Sequence, residues 1–135
     1  MEQLSQLVDK ALQIRNQAYA PYSNYQVGAA LITATGRVYT GCNVENAVYS
    51  ATVCAERVAV FKAVSEGDRD FVAMAVAASG DEIATPCGTC RQVLYEFAPD
   101  LILYLTDAQG KRVEKVPLAD LLPRPFGPVY FMEEC

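Results

Sequence analysis

Leu4, Leu7, Val8, Ala11, Leu12, Arg15 and Ala18 follow the three-to-four spacing of an amphipathic helix, and Pro21 is expected to end it. The pattern then changes period. Residues 27–32 form an apolar run, 33–36 carry turn chemistry, and 37–42 return, which predicts an antiparallel hairpin. A loop rich in hydrogen-bonding side chains, GCNVENAVYSAT, leads into a predicted helix over 53–64, with Thr52 as its N-cap and Cys54, Val58 and Phe61 on one face. Residues 71–78 are nearly continuous apolar sequence, as in a buried strand. Helical spacing resumes over 87–97 through Cys90, Val93, Leu94 and Phe97. Strands are predicted over 101–106 and 129–132, with a turn at 107–110 and a short helix over 117–122 between them. This order predicts a layered α/β fold with a mixed sheet.

Length and composition restrict what that fold can be. A chain of 135 residues is the size of one domain, so a single domain over 1–135 is expected, large enough to bury a core without disulfides. With 52% apolar and 20% charged residues it is too apolar for a disordered chain. The net charge of −5, with no block of Lys or Arg, argues against a long nucleic acid as partner and leaves a small neutral solute open. No apolar run is long enough for a membrane span, and MEQLSQLVDKALQ does not read as a secretory signal. A cytoplasmic location is therefore expected. There the five cysteines stay reduced, and their spacing reads as chemistry or metal ligation.

Cys87 and Cys90 form a Cys-x-x-Cys pair at the start of one predicted helix, and Cys54 lies near the start of another. Helix N-termini present unpaired N–H groups and positive potential, which favour the thiolate that zinc requires. If both helices follow strands that run in the same direction, their N-termini converge at one sheet edge and three sulfurs meet. A lone CxxC also fits a redox dithiol, but the third cysteine then lacks an explanation. Cys42 as fourth ligand would close a structural site, whereas water there would leave a catalytic one. Glu56, two residues past Cys54, favours the open site: its carboxylate can take a proton from an activated water and return it to a leaving group. Zinc with three thiolates carries a net charge of −1. Arg57, by donating to the sulfurs, would offset that excess.

The strings TVCAER (52–57) and PCGTCRQ (86–92) resemble the zinc signature of the cytidine deaminase family, in the small type that uses three cysteines. The resemblance extends through PYSNYQVGAA, GCNVENAVY, AVSEG and LLPRPFGP, nearly the whole chain. It implies a cytidine deaminase-like fold with a mixed five-stranded sheet flanked by helices. It also implies zinc-dependent hydrolysis of cytidine and deoxycytidine to uridine and deoxyuridine, in pyrimidine salvage. On that basis Cys54, Cys87 and Cys90 hold one Zn2+ per subunit, Glu56 moves protons, and Asn43 and Glu45 bind the ribose. Tyr25 lies near the pyrimidine, and Ala55 and Thr85 contact it through the main chain. Ala47, Tyr49 and Phe126 are contributed by neighbouring subunits of a homotetramer, an assembly that would also account for the apolar composition. Read from the residues alone, Asn43 and Glu45 satisfy loop backbone equally well, and the aromatics equally well fill core. Two alternatives stand beside the main reading: a deaminase of a modified cytosine nucleoside, and a structural zinc module closed by Cys42. Cys42 is otherwise read as a small buried hydrophobe and Cys135 as a thiol without function.

Overall fold

The computed structural model describes residues 2–128. Helix α1 (Glu2–Arg15) is followed by strands β1 (Val27–Thr33) and β2 (Val38–Cys42), a short 3-10 turn (Tyr49–Ala51) and helix α2 (Ala55–Ser65). Strand β3 (Phe71–Ala78), helix α3 (Gly88–Phe97), strands β4 (Ile102–Thr106) and β5 (Val113–Pro117) and helix α4 (Leu118–Leu121) complete the order. The five strands lie in the order β2-β1-β3-β4-β5. β3 and β4 are parallel and the other neighbours antiparallel, so the sheet is mixed as expected.

Alternation along the strands sorts side chains to two faces. Leu31, Met74, Val76, Leu103 and Leu105 form one core with α2 and α3. On the other face Ala30, Ala73, Ala75 and Ala77 meet Leu7, Val8 and Ala11 of α1. One glycine on each face lets a helix backbone approach the sheet. A Cβ on Gly28 would stand 2.0 Å from the Ala11 carbonyl oxygen of α1, and one on Gly41 2.5 Å from that of Ala55 in α2.

Three expectations are corrected. The fifth strand of the sheet is Val113–Pro117, an edge strand whose charged, mostly exposed VEKVP sequence conceals it from an apolar reading. The strand expected over 129–132 lies outside the described residues, as does Cys135. Helix α1 ends at Arg15, before Ala18 and Pro21, because tight turns follow it and Tyr19 bridges to Val44. Thr52 is not the N-cap of α2: its hydroxyl accepts from the Asn46 N–H at 3.2 Å, and Cys54 occupies the cap. On the face expected to hold Cys54, Val58 and Phe61, Cys54 and Val58 are half-buried and Phe61 is 49% exposed.

Candidate metal centre and active site

β2 and β3 are both antiparallel to β1 and therefore run in the same direction. The helices that follow them start at the same sheet edge, as the convergence argument requires. Cys54 is the N-cap of α2 and Cys87 the N-cap of α3, both with extended backbone and neither with a side-chain cap hydrogen bond. Their sulfurs lie 3.7 Å apart. Cys90, in the first turn of α3 and fully buried, completes a group whose three sulfurs all lie within 4.8 Å of one another. Two thiolates at tetrahedral positions around zinc, each about 2.3 Å from the ion, would be roughly 3.8 Å apart. The donor set fits zinc in both element and spacing. Among the described residues no fourth Cys, Asp, Glu or His joins it. Cys42 lies on β2 opposite Gly28, outside the group.

The charges around the sulfurs are interdependent. The Cys54 thiol is held low, first by a hydrogen bond shared with Cys90 and then by Arg57 and Cys87. The same sharing, together with burial, pushes Cys90 up. Arg57 Nη2 donates to Cys54 Sγ at 3.4 Å, which raises the guanidinium in turn. Arg57 Nε is buried without a hydrogen-bond partner among the described residues. Glu56, 4% exposed, is pushed up to about 7, first by burial and further by the neighbouring Cys54; Arg57 opposes the shift. A carboxyl in that range exchanges a proton readily near neutrality.

Cys54, Cys87 and Glu56 line a cavity of about 290 Å³ that also takes in Tyr25, Asn43, Glu45, Ala55 and Thr85. The structure thus brings together eight of the thirteen residues singled out from the sequence. Cys90 is fully buried and Arg57 lies against the Cys54 sulfur. The remaining three face outward: Ala47 is exposed, Tyr49 is 76% exposed with its ring edge-on to Tyr22 at 5.9 Å, and Phe126 is 58% exposed.

Asn43 and Glu45 are both buried and both engaged with backbone. Asn43 Oδ1 accepts from the Val27 N–H and its Nδ2 donates to the Tyr25 carbonyl, each at 2.8 Å. Glu45 accepts from the Tyr22 and Ser23 N–H groups at 2.8 and 3.1 Å and from the Ser23 hydroxyl. These donors, the Ser23 hydroxyl foremost, hold its carboxyl below the usual range against burial. The backbone contacts weighed from the sequence are therefore present. One amide hydrogen and one lone pair of Asn43 remain, and roughly one of the four lone-pair positions of Glu45.

Two residues of the site escape a reading by spacing. Ser23 anchors Glu45 from the exposed turn after α1. Arg91 holds the segment that carries Thr85 and Cys87. Their only trace in the sequence is their place within the PYSNY and PCGTCRQ strings.

Comparison with known proteins agrees with this geometry. A family model described as the cytidine and deoxycytidylate deaminase zinc-binding region matches residues 1–106. A cytidine deaminase of Halalkalibacterium halodurans is 50% identical over 121 residues, covering 89% of this chain and 91% of its own. One of Sporosarcina psychrophila is 48% identical over 124 residues, covering 91% and 90%. The crystal structure of a cytidine deaminase from Burkholderia pseudomallei matches with a TM-score of 0.85 at 48% identity, covering 90% of this chain and 97% of that one. Sequence, sheet topology and sulfur geometry agree, and the chain belongs to the cytidine and deoxycytidylate deaminase zinc-binding family.

Proposed function

We propose that this protein is a cytidine deaminase that converts cytidine and deoxycytidine to uridine and deoxyuridine with release of ammonia. The observation that carries the reading is a buried carboxyl, Glu56, lining the same cavity as two members of a three-sulfur group. Cys54, Cys87 and Cys90 would hold zinc, which would supply Lewis-acid activation of a water molecule. Glu56 accepts a proton from the attacking water and delivers it to N3 of the cytosine ring as the water oxygen bonds to C4. It then takes the remaining hydroxyl proton and passes it to N4; the C4–N4 bond breaks, ammonia leaves and a C4 carbonyl forms. Main-chain groups of Ala55 and Thr85 orient the ring, with Tyr25 beside it. The unused hydrogen of Asn43 and lone pair of Glu45 meet the ribose hydroxyls.

The cavity wall supports a free nucleoside over a nucleotide or a polymer. Its described lining contains Glu45 and no Lys or Arg, so a phosphate there would be repelled. The structural-module alternative needs Cys42 in the sulfur group, and Cys42 lies outside it. Outward-facing Ala47, Tyr49 and Phe126 support a homotetramer in which neighbours complete each cavity, with one zinc per subunit. We place the enzyme in cytoplasmic pyrimidine salvage as a single domain; among the described residues no helix is long and apolar enough to cross a membrane.

Ammonia and uridine release, measured with bound zinc for the native protein and Glu56→Gln, tests the reading. Zinc should be retained while turnover falls by about 10²–10⁴-fold. Equal turnover in the two proteins would reject the role of Glu56.

A further inference from the structure

Arg91 is half-buried on the first turn of α3, and its guanidinium donates in three directions. Nε reaches the Pro86 carbonyl at 2.7 Å, Nη2 the Thr85 hydroxyl at 2.8 Å, and Nη1 the Leu121 carbonyl at 3.0 Å. The first two acceptors belong to the turn that ends at Cys87, and Pro86 is fully buried. The third is a carbonyl of the last turn of α4, which has no partner within that helix. The next residue of α3, Gln92, donates through Nε2 to the Phe126 carbonyl. Neighbouring side chains of one helix thus grip both ends of residues 121–126, and one of them also grips the wall of the cavity.

We propose that Arg91 is a positioning residue that fastens the 85–87 turn to the 121–126 segment, so that substrate affinity depends on a guanidinium lining neither cavity nor sulfur group. The inference rests on the deaminase reading for its substrate, and on the hydrogen bonds alone for the fastening. A planar fork with fixed donor directions serves three divergent acceptors. A lysine ammonium at the same place reaches one of them at most, so Arg91→Lys preserves charge and removes the connection.

The test uses the zinc-loaded full chain and Arg91→Lys, comparing kcat and KM for cytidine, zinc content, and amide hydrogen exchange over 84–88 and 121–126. Losing two charge-assisted hydrogen bonds should raise KM on the order of tenfold, with kcat changing much less. Zinc content should hold, and exchange should accelerate in both segments together. Thr85→Val removes one acceptor and leaves the guanidinium intact. It should produce a smaller rise in KM and loosen the same two segments, and it decides the matter if Arg91→Lys does not fold. An unchanged KM, loosening of one segment without the other, or a KM effect explained wholly by lost zinc would overturn the proposal. A native protein inert on cytidine whose segments still loosen together would overturn the substrate reading and uphold the fastening.

Discussion

The two faces of the sheet are built to different rules. The α1 face presents alanines at 30, 73, 75 and 77, a shallow surface against which one helix lies close. The opposite face presents Leu31, Met74, Val76, Leu103 and Leu105, a thicker layer that carries α2 and α3. Only the second face ends in chemistry. One helix laid on a sheet has no second N-terminus to converge with. Two helices following strands of common direction bring their electropositive ends, and the cysteines that cap them, to one edge.

That contrast yields an ordered set of expectations. Leu103→Ala would empty space in the thick layer at 0% exposure and should cost about 2–5 kcal/mol in urea unfolding. Ala75→Leu on the thin face should cost about 1–3 kcal/mol, for the opposite reason of excess volume. A negligible loss for Leu103→Ala, or an added leucine tolerated at 75, would mean that the two layers are not packed in this way.

The two glycines separate stability from chemistry. Gly28→Ala and Gly41→Ala each drive a Cβ into helix backbone and should each destabilise by about 1–3 kcal/mol or more. Gly41→Ala displaces the start of α2, and with it Cys54 and Glu56, so KM or bound zinc should change as well. Gly28→Ala should lower the unfolding midpoint and leave KM near the native value, because α1 carries no site residue. Equal kinetic damage from both would break the division of labour.

Arg57→Ala removes the donor to Cys54 and should weaken zinc binding by about 10–100-fold in a chelator competition, with the fold retained.

The smallest effect concerns Glu45, whose carboxyl is held below its ordinary value of 4.5. A depressed folded value adds stability above the unfolded value, and that contribution is lost as pH falls through the folded one. Melting temperatures of native protein and Glu45→Gln should therefore differ at neutral pH and converge in acid, below about pH 4. A constant difference across that range would show that the Ser23 and Tyr22 bonds do not favour the charged form.

Much of this was legible from spacing. The sulfur positions, Glu56 and four of the five strands among the described residues follow from short-range pattern, because periodicity and helix-start chemistry are local. What was not legible depends on distant partners. β5 is half polar because it sits at an edge, and only its pairing with β4 makes it a strand. α1 stops early because residue 19 is needed beside residue 44. Thr52 has the chemistry of a cap, yet its hydroxyl is used by Asn46, and the position goes to a residue whose sulfur is needed elsewhere. Ser23 and Arg91 act through contacts 22 and 30 residues away, which no window of sequence contains.

The capping cysteines have a consequence for synthesis on the ribosome. Cys54 and Cys87 are separated by 33 residues. At roughly 5–20 residues per second, the first thiol emerges about two to seven seconds before the second. Through that interval α1, β1, β2 and α2 can assemble, since the hairpin and its two helices are near in sequence. β3 must then enter beside β1 before α3 can bring Cys87 and Cys90 to the same edge. Until it does, Cys54 has no sulfur neighbour with which to share an ion. A sulfur group shared between two helices so far apart in the chain is complete only once β3 has paired with β1 and α3 has formed.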